Sequence, residues 1–403
     1  MLRKIVYTFQ TSLASAFTAL LTVWLTVRFL GAEGRGVISL FLINISVIQI
    51  FTSIVGGAGL VYLVPRYGVS RVFFPSLAWA IICSLLGSFL MEKLSLVQSS
   101  FFIHTIVLSF FQAIILNNLQ ILIAKDRVSV YNFCRLLQPA MVFAVFGLQL
   151  MIQSHHSVSL FFNSLYVSFT IVLCISSFFT FKGERFSGRY FEWEVISTFF
   201  HVGGLNELNN IMQLANGRFS FYIVEKTLGV AALGIFSLAI SLTEAVWMFG
   251  RSISTIHHSE VSRKEESGLK NNEKLIKMSF LGTLTMLIIA LLLPARLYRE
   301  VFGLEFKEIK CVILLLAPGV IALSGAMVIS HYFSAIKKIH FNTVSSAIGS
   351  LIIIVCSLML VPQMGIHGAA LANSLSWITT SLIIFFQYRK LKKVYSGSLS
   401  DIS

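Results

Sequence analysis

Twelve apolar runs of about 20 residues follow one another along these 403 residues, separated by polar connections of only a few residues. A helix of that length spans about 30 Å, the thickness of a bilayer's hydrocarbon core. Lipid offers the backbone no hydrogen-bond partners, so each run is driven to satisfy its own amides as a helix. The expected spans are 5–30, 36–64, 72–91, 100–124, 134–153, 158–181, 196–223, 229–256, 278–297, 309–335, 341–361 and 366–388. The fold class is therefore an all-α polytopic membrane protein of about twelve transmembrane helices. The first run follows Arg3 and Lys4 and continues to Leu30 without a small-residue cleavage site, so it is expected to stay as the first span. The connections leave no room for an extramembrane domain. The longest polar stretch, 255–277, is expected to form a short amphipathic surface helix.

The net charge of +14 would suit a nucleic-acid partner, but the cations are dispersed among short loops rather than gathered into a basic domain. With the N-terminus inside, 21 of the 31 Lys and Arg residues fall in cytoplasmic segments, eight fall opposite, and Arg218 and Arg251 lie within spans. That bias matches the positive-inside pattern and places both termini in the cytoplasm. No nucleic-acid partner is expected. The five cysteines are scattered singly through apolar segments, as buried thiols would be, and no spacing suits a metal. Neither a nucleotide-binding loop, a nucleophile triad nor a carboxylate pair is present, so no cofactor and no enzymatic chemistry are expected. His155 and His156 fall in an outer loop, where water would solvate them.

An internal repeat orders the spans. Leu30-Gly31-Ala32-Glu33-Gly34-Arg35-Gly36-Val37-Ile38-Ser39-Leu40 returns 198 residues later as Leu228-Gly229-Val230-Ala231-Ala232-Leu233-Gly234-Ile235-Phe236-Ser237-Leu238. Each copy joins the first two helices of a half. Six helices is an even number, so the halves share one orientation, related by a pseudo-two-fold along the membrane normal. The expected organisation is a six-helix bundle over 1–182, a cytoplasmic linker at 183–195, a second bundle over 196–393 and a tail at 394–403.

Span seven carries the chemistry. Asn206, Asn210, Gln213 and Gly217 fall three or four residues apart and share one helical face. Asn209, Asn216 and Ser220 flank it on one side, and Glu207 and Arg218 on the other. Such a face is costly in lipid and points to water or other helices. The 198-residue offset maps it onto Thr8, Ser12, Ser15, Thr18 and Thr22 of span one, so both helices are expected to line a polar cavity. Hydroxyls also glue membrane helices together, and for span one that alternative is equally open.

Glu207, Arg218, Glu244 and Arg251 are the ionisable residues within spans. Antiparallel packing would put Glu244 near the depth of Glu207, leaving Arg218 without an acidic partner and open to a phosphate-bearing substrate. Alternatively, Glu207 and Arg251 simply neutralise each other between helices; Glu244 and Arg251 are the expected coupling or structural charges. Gly56-Gly57-Ala58-Gly59 suits close helix packing or a kink. Pro139 and Pro318-Gly319 are expected to break spans five and ten.

At these landmarks the chain resembles the polysaccharide exporters of the multidrug/oligosaccharidyl-lipid/polysaccharide exporter superfamily. The resemblance rests on Arg28 to Gly36, on Gly57-Ala58-Gly59-Leu60 with Pro65-Arg66, and on Leu228-Gly229 with Gly234 to Ser237. Pro294 with Phe302-Gly303, and Pro362 with Gly365 to Ala370, complete it. It implies a MATE-like fold, two six-helix bundles around a cavity opening alternately to each side of a bacterial inner membrane. It also implies a flippase that carries undecaprenyl-pyrophosphate-linked oligosaccharide repeats outward for O-antigen, capsule or exopolysaccharide assembly. Membrane lipids, a polysaccharide polymerase and a chain-length regulator are the implied partners. Arg218 would then contact the anionic head group, and Asn206, Asn210, Gln213, Glu207, Ser12 and Ser15 the sugar. The rivals are a drug/cation antiporter of the same superfamily, a lipid II flippase of the superfamily, which would carry two additional helices, and, further off, a membrane O-antigen polymerase or ligase.

Overall fold

Glycine decides where the long apolar stretches of this chain turn back on themselves. In the computed structural model, which describes residues 2–184, 191–261 and 268–400, helix α1 (Leu2–Ser53) bends at Gly31 (φ 69°). The same device recurs at Gly229 (φ 86°), between α7 (Trp193–Leu228) and α8 (Val230–Val261), and at Gly365 (φ 61°) inside α12 (Ile339–Ser400). Only glycine takes these left-handed angles cheaply. The repeated Leu-Gly pairs at 30–31 and 228–229 are thus the same turn in each half. The serines near the end of the two repeat copies also behave alike: Ser39 and Ser237 are buried and bond carbonyls of their own helix.

The remaining helices are α2 (Gly57–Tyr67), α3 (Val69–Lys93), α4 (Phe102–Ala124), α5 (Val128–Ile152), α6 (Val158–Phe181), α9 (Gly268–Leu292), the short α10 (Ala295–Phe302) and α11 (Ile309–Ala335). Nine helical stretches among the described residues are long and apolar enough to cross a bilayer, and two of them, Tyr7–Tyr67 and Ile339–Lys392, each hold two passes. The 36-residue α7 completes the twelve; its amides and charges depress its hydropathy. No strand occurs among the described residues.

Several boundaries differ from the sequence expectation. Span two is interrupted at residues 54–56, between α1 and α2. Pro139 and Pro318 do not break their helices, since α5 and α11 run continuously through them. Beside Pro318, the Gly319 amide is satisfied by the Ser374 hydroxyl at 3.0 Å. The expected surface helix at 255–277 is instead the end of α8 and the start of α9, with 262–267 outside the described residues. The thiols also divide: Cys134 is buried, whereas Cys174 and Cys311 are exposed.

The chain divides into two compact units, Met1–Ile211 and Met212–Ser403, the division falling inside α7. Part of the expected linker, 185–190, lies outside the described residues. The first unit has two apolar cores. One joins α1, α4, α5 and α6 around Phe41, Phe146, Phe161 and Phe162. The other joins α2, α3 and α4 to Val195 and Phe199 of α7. Because lipid already satisfies apolar side chains, polar contacts between helices supply part of the specificity. Asn132 donates to Thr8 at 2.9 Å, Gln49 to the Ser109 carbonyl at 2.8 Å, and Asn118 to Ser176 and Ser177 at 3.1 and 2.9 Å. Lys125 and Arg127 cap the C-terminal carbonyls of α6, where the helix dipole favours cations. In the second unit, Tyr332, Phe333, Ile384 and Tyr388 form a core between α11 and α12.

Candidate functional site

Helix α7 sorts its polar residues by face. Asn210 and Gln213 are exposed, and open space surrounds Gly217. The side chain of Asn206 lies outside the described residues. The expected polar face is therefore outward-looking where it is described. Asn216 and Ser220, the flanking residues, do something else. Asn216 is 7% exposed, donates to Thr380 at 2.9 Å and accepts from Ser376. Ser220 is fully buried and accepts from Asn373 at 2.7 Å. Both bind α7 to α12 within the second unit, so these two side chains act as glue.

Arg218 overturns an expectation. Its guanidinium nitrogen lies 2.6 Å from Glu244 Oε1, and its charge also sits 5.1 Å from the centre of the Phe221 ring. The error lies in the depth assigned to Glu244. Folding α7 and α8 back about the Gly229 turn sets Glu244 level with a residue near 214, about one helical turn from Arg218 and two from Glu207. The pair is roughly one-third exposed, so the arginine stays reachable while its charge is compensated. Arg251 on α8 is exposed.

Glu207 belongs to the first unit and is only 5% exposed. It accepts from Asn210 at 2.9 Å and sits where α1 gives way to α2. No Lys, Arg or His among the described residues lies within ion-pair reach of it. The helix is held there by close backbone contact: a side chain on Gly203 would begin 2.1 Å from the Ile54 carbonyl oxygen. A cavity of about 680 Å³ opens beside Glu207, lined also by Ser53, Tyr62, Arg66 and Gln120. Sequence reasoning counts Arg66 as a loop charge and passes over the other three. The Gly56–Gly59 run at the break is the available signal.

On α1, Ser12 bonds the Thr8 carbonyl and Ser15 the Thr11 carbonyl, both at 2.8 Å. Ser15 also reaches the Arg135 carbonyl of α5 at 3.3 Å. Thr18 and Thr22 likewise bond carbonyls one turn back. Such back-bonding spends a hydroxyl's donor at home and leaves only its acceptor lone pairs. The described residues hold no cluster of metal-ligating side chains.

Among solved structures, the chain resembles an inward-facing multidrug resistance MATE family transporter of the MOP superfamily, with a TM-score of 0.76 at 12% identity over 95% of this chain and 96% of that one. The two chains share one fold. The lipid II flippase MurJ in an inward closed conformation follows at a TM-score of 0.71 and 15% identity, covering 96% of this chain and 88% of MurJ. A mutant of VcmN, a Vibrio cholerae MATE transporter, matches at a TM-score of 0.64 and 11% identity over 97% of both chains. These neighbours are transporters and a flippase rather than enzymes, and the multi-pass membrane architecture is common to them and this chain. Among curated proteins, the capsular polysaccharide biosynthesis protein CapF of Staphylococcus aureus is 24% identical over 174 residues. That match takes in 42% of this chain and 44% of CapF, so the chain spans under half the length of this relative. No family model matches the sequence.

Proposed function

We propose that the protein is a flippase that carries polyprenyl-pyrophosphate-linked oligosaccharide repeats from the cytoplasmic to the outer leaflet of a bacterial inner membrane. Both termini are cytoplasmic in this reading. The observation that carries it is the partly exposed guanidinium of Arg218 in the second unit, about one and a half turns of α7 from the exposed amide of Gln213. Amides suit sugar hydroxyls, and a guanidinium suits phosphate oxygens bidentately. In the first unit, Asn206, Glu207 and Asn210 of α7 and Ser12 and Ser15 of α1 are the residues proposed to meet the saccharide.

The Arg218–Glu244 pair adds a physical condition. A pyrophosphate reaching Arg218 competes with Glu244 for the same donors, so binding and release exchange one anion for another. The site then never leaves a bare cation within the membrane. The similarity to a lipid II flippase and to a capsular polysaccharide biosynthesis protein supports a lipid-linked saccharide as cargo. O-antigen, capsule or exopolysaccharide would be the product, with a polymerase and a chain-length regulator acting downstream.

A drug/cation antiporter is the second reading, favoured by the 0.76 TM-score to a MATE transporter. One experiment separates the two. Deleting the gene should leave lipid-linked repeats on the cytoplasmic face and deplete surface polysaccharide. Normal surface polysaccharide together with heightened sensitivity to cationic drugs would favour the antiporter.

A further inference from the structure

We propose that the cavity at the break between α1 and α2 is a saccharide-binding subsite of the first unit, an assignment that rests on the flippase reading above. An interrupted span is tolerated at membrane depth where the freed backbone is buried in protein or lines a water-filled space. Here the break packs against Gly203 of α7, and the residues on either side of it, Ser53 and Gly57, line a cavity of about 680 Å³, within the range of small-molecule sites.

Its walls carry the groups that recognise a sugar ring. Glu207 is a carboxylate with one oxygen occupied by Asn210 and the other 3.4 Å from where a side chain on Gly57 would begin. Glycine at 57 therefore keeps space in front of the carboxylate. Gln120 from α4 and Ser53 at the end of α1 add an amide and a hydroxyl. Tyr62 is 44% exposed; the Arg66 guanidinium stacks over one face of its ring, 3.5 Å from the centroid, and donates to the Tyr62 carbonyl at 2.7 Å, so a sugar would use the other face. A pyranose presents hydroxyl donors to a carboxylate and amides at its edge, and C–H groups to an aromatic ring on its face. The guanidinium is placed to donate to an oxygen of the saccharide itself.

A bound monovalent cation is the competing occupant of a carboxylate of this kind. Two observations weigh against it. The cavity is about twenty times the share of one water molecule in the liquid, far more than an ion needs. The fixed positive charge of Arg66 lines the same space and would repel a cation.

The test uses the full-length protein in lipid nanodiscs and two probes. One is the lipid-linked oligosaccharide extracted from cells lacking the gene; the other is undecaprenyl pyrophosphate without sugar. Gln120→Ala and Tyr62→Ala should each weaken the sugar-bearing lipid about tenfold, the loss of one good contact, and leave the sugar-free lipid within about twofold. Tyr62→Phe, which keeps the ring, should bind like the parent and so control for folding. Gln120→Ala and Tyr62→Ala variants that bind both lipids like the parent, or lose both equally, would overturn the subsite while leaving the flippase reading intact. So would Glu207→Gln if it bound sugar-bearing lipid normally but uncoupled transport from a sodium or proton gradient, since that marks a cation site. Cells lacking the gene that accumulate no lipid-linked oligosaccharide would sink the flippase reading and the subsite with it.

Discussion

Two acidic residues, one in each unit, meet the membrane in opposite ways. Glu244 in the second unit is about one-third exposed and lies 2.6 Å from Arg218. Glu207 in the first unit is almost fully buried, and it accepts from the neutral amide of Asn210. A carboxylate answers burial either by keeping a cation close or by finding neutral donors. The paired residue holds an arginine in place. The other leaves a polar acceptor facing a cavity. Their difference predicts opposite responses to the same substitution.

The largest effect should come from breaking the pair. Arg218→Ala strands Glu244 and removes the proposed phosphate contact, so surface polysaccharide in complemented cells should fall at least tenfold. Its membrane stability should drop by about 2 kcal/mol, below the roughly 3–5 kcal/mol typical of a fully buried pair because water reaches this one. Restored polysaccharide in an Arg218→Ala, Glu244→Ala double variant would show the pair to be structural only.

Gly203→Ala comes next. The added carbon would stand 2.1 Å from the Ile54 carbonyl oxygen, which has no flexible side chain to yield. The cost should be about 2 kcal/mol or more, read as a lower thermal midpoint of the purified protein. An unchanged midpoint would mean that α7 is not held at the break.

The substitution that separates the carboxylates directly is glutamine at each. Glu207→Gln keeps the size and removes a buried charge that has no ion-pair partner among the described residues, so stability should hold or rise. Glu244→Gln should lose about 1 kcal/mol of the charge-assisted bond. Equal losses at both positions would erase the distinction between them. Gln213→Ala should lower transport several-fold without shifting the thermal midpoint, because the side chain is exposed; Asn210→Ala should lower both, because it removes the donor to the buried Glu207 carboxylate. The smallest effect belongs to Ser12→Ala, whose donor already bonds its own helix; transport should change less than about twofold.

Span count and the all-α class were legible in hydropathy, because bilayer thickness and unpaired amides constrain any apolar run alike. The repeat was legible as well, since Leu30-Gly31 and Leu228-Gly229 mark a turn that other residues resist. The face of α7 that stays open was readable from its three-to-four-residue spacing. Which of its amides would be consumed was not: Asn216 resembles Asn210 in sequence, yet Thr380 and Ser376 arrive from 160 residues or more away to occupy it. Arg218 found its acid partner in the same way, through the depth at which two helices pass. The break at 54–56 left glycines as a trace, but the meeting of Glu207 with Ser53 and Gln120 needed three separate helices brought together. Periodicity reports how one helix divides its own surface. What covers that surface depends on the register between helices, which tertiary packing alone sets.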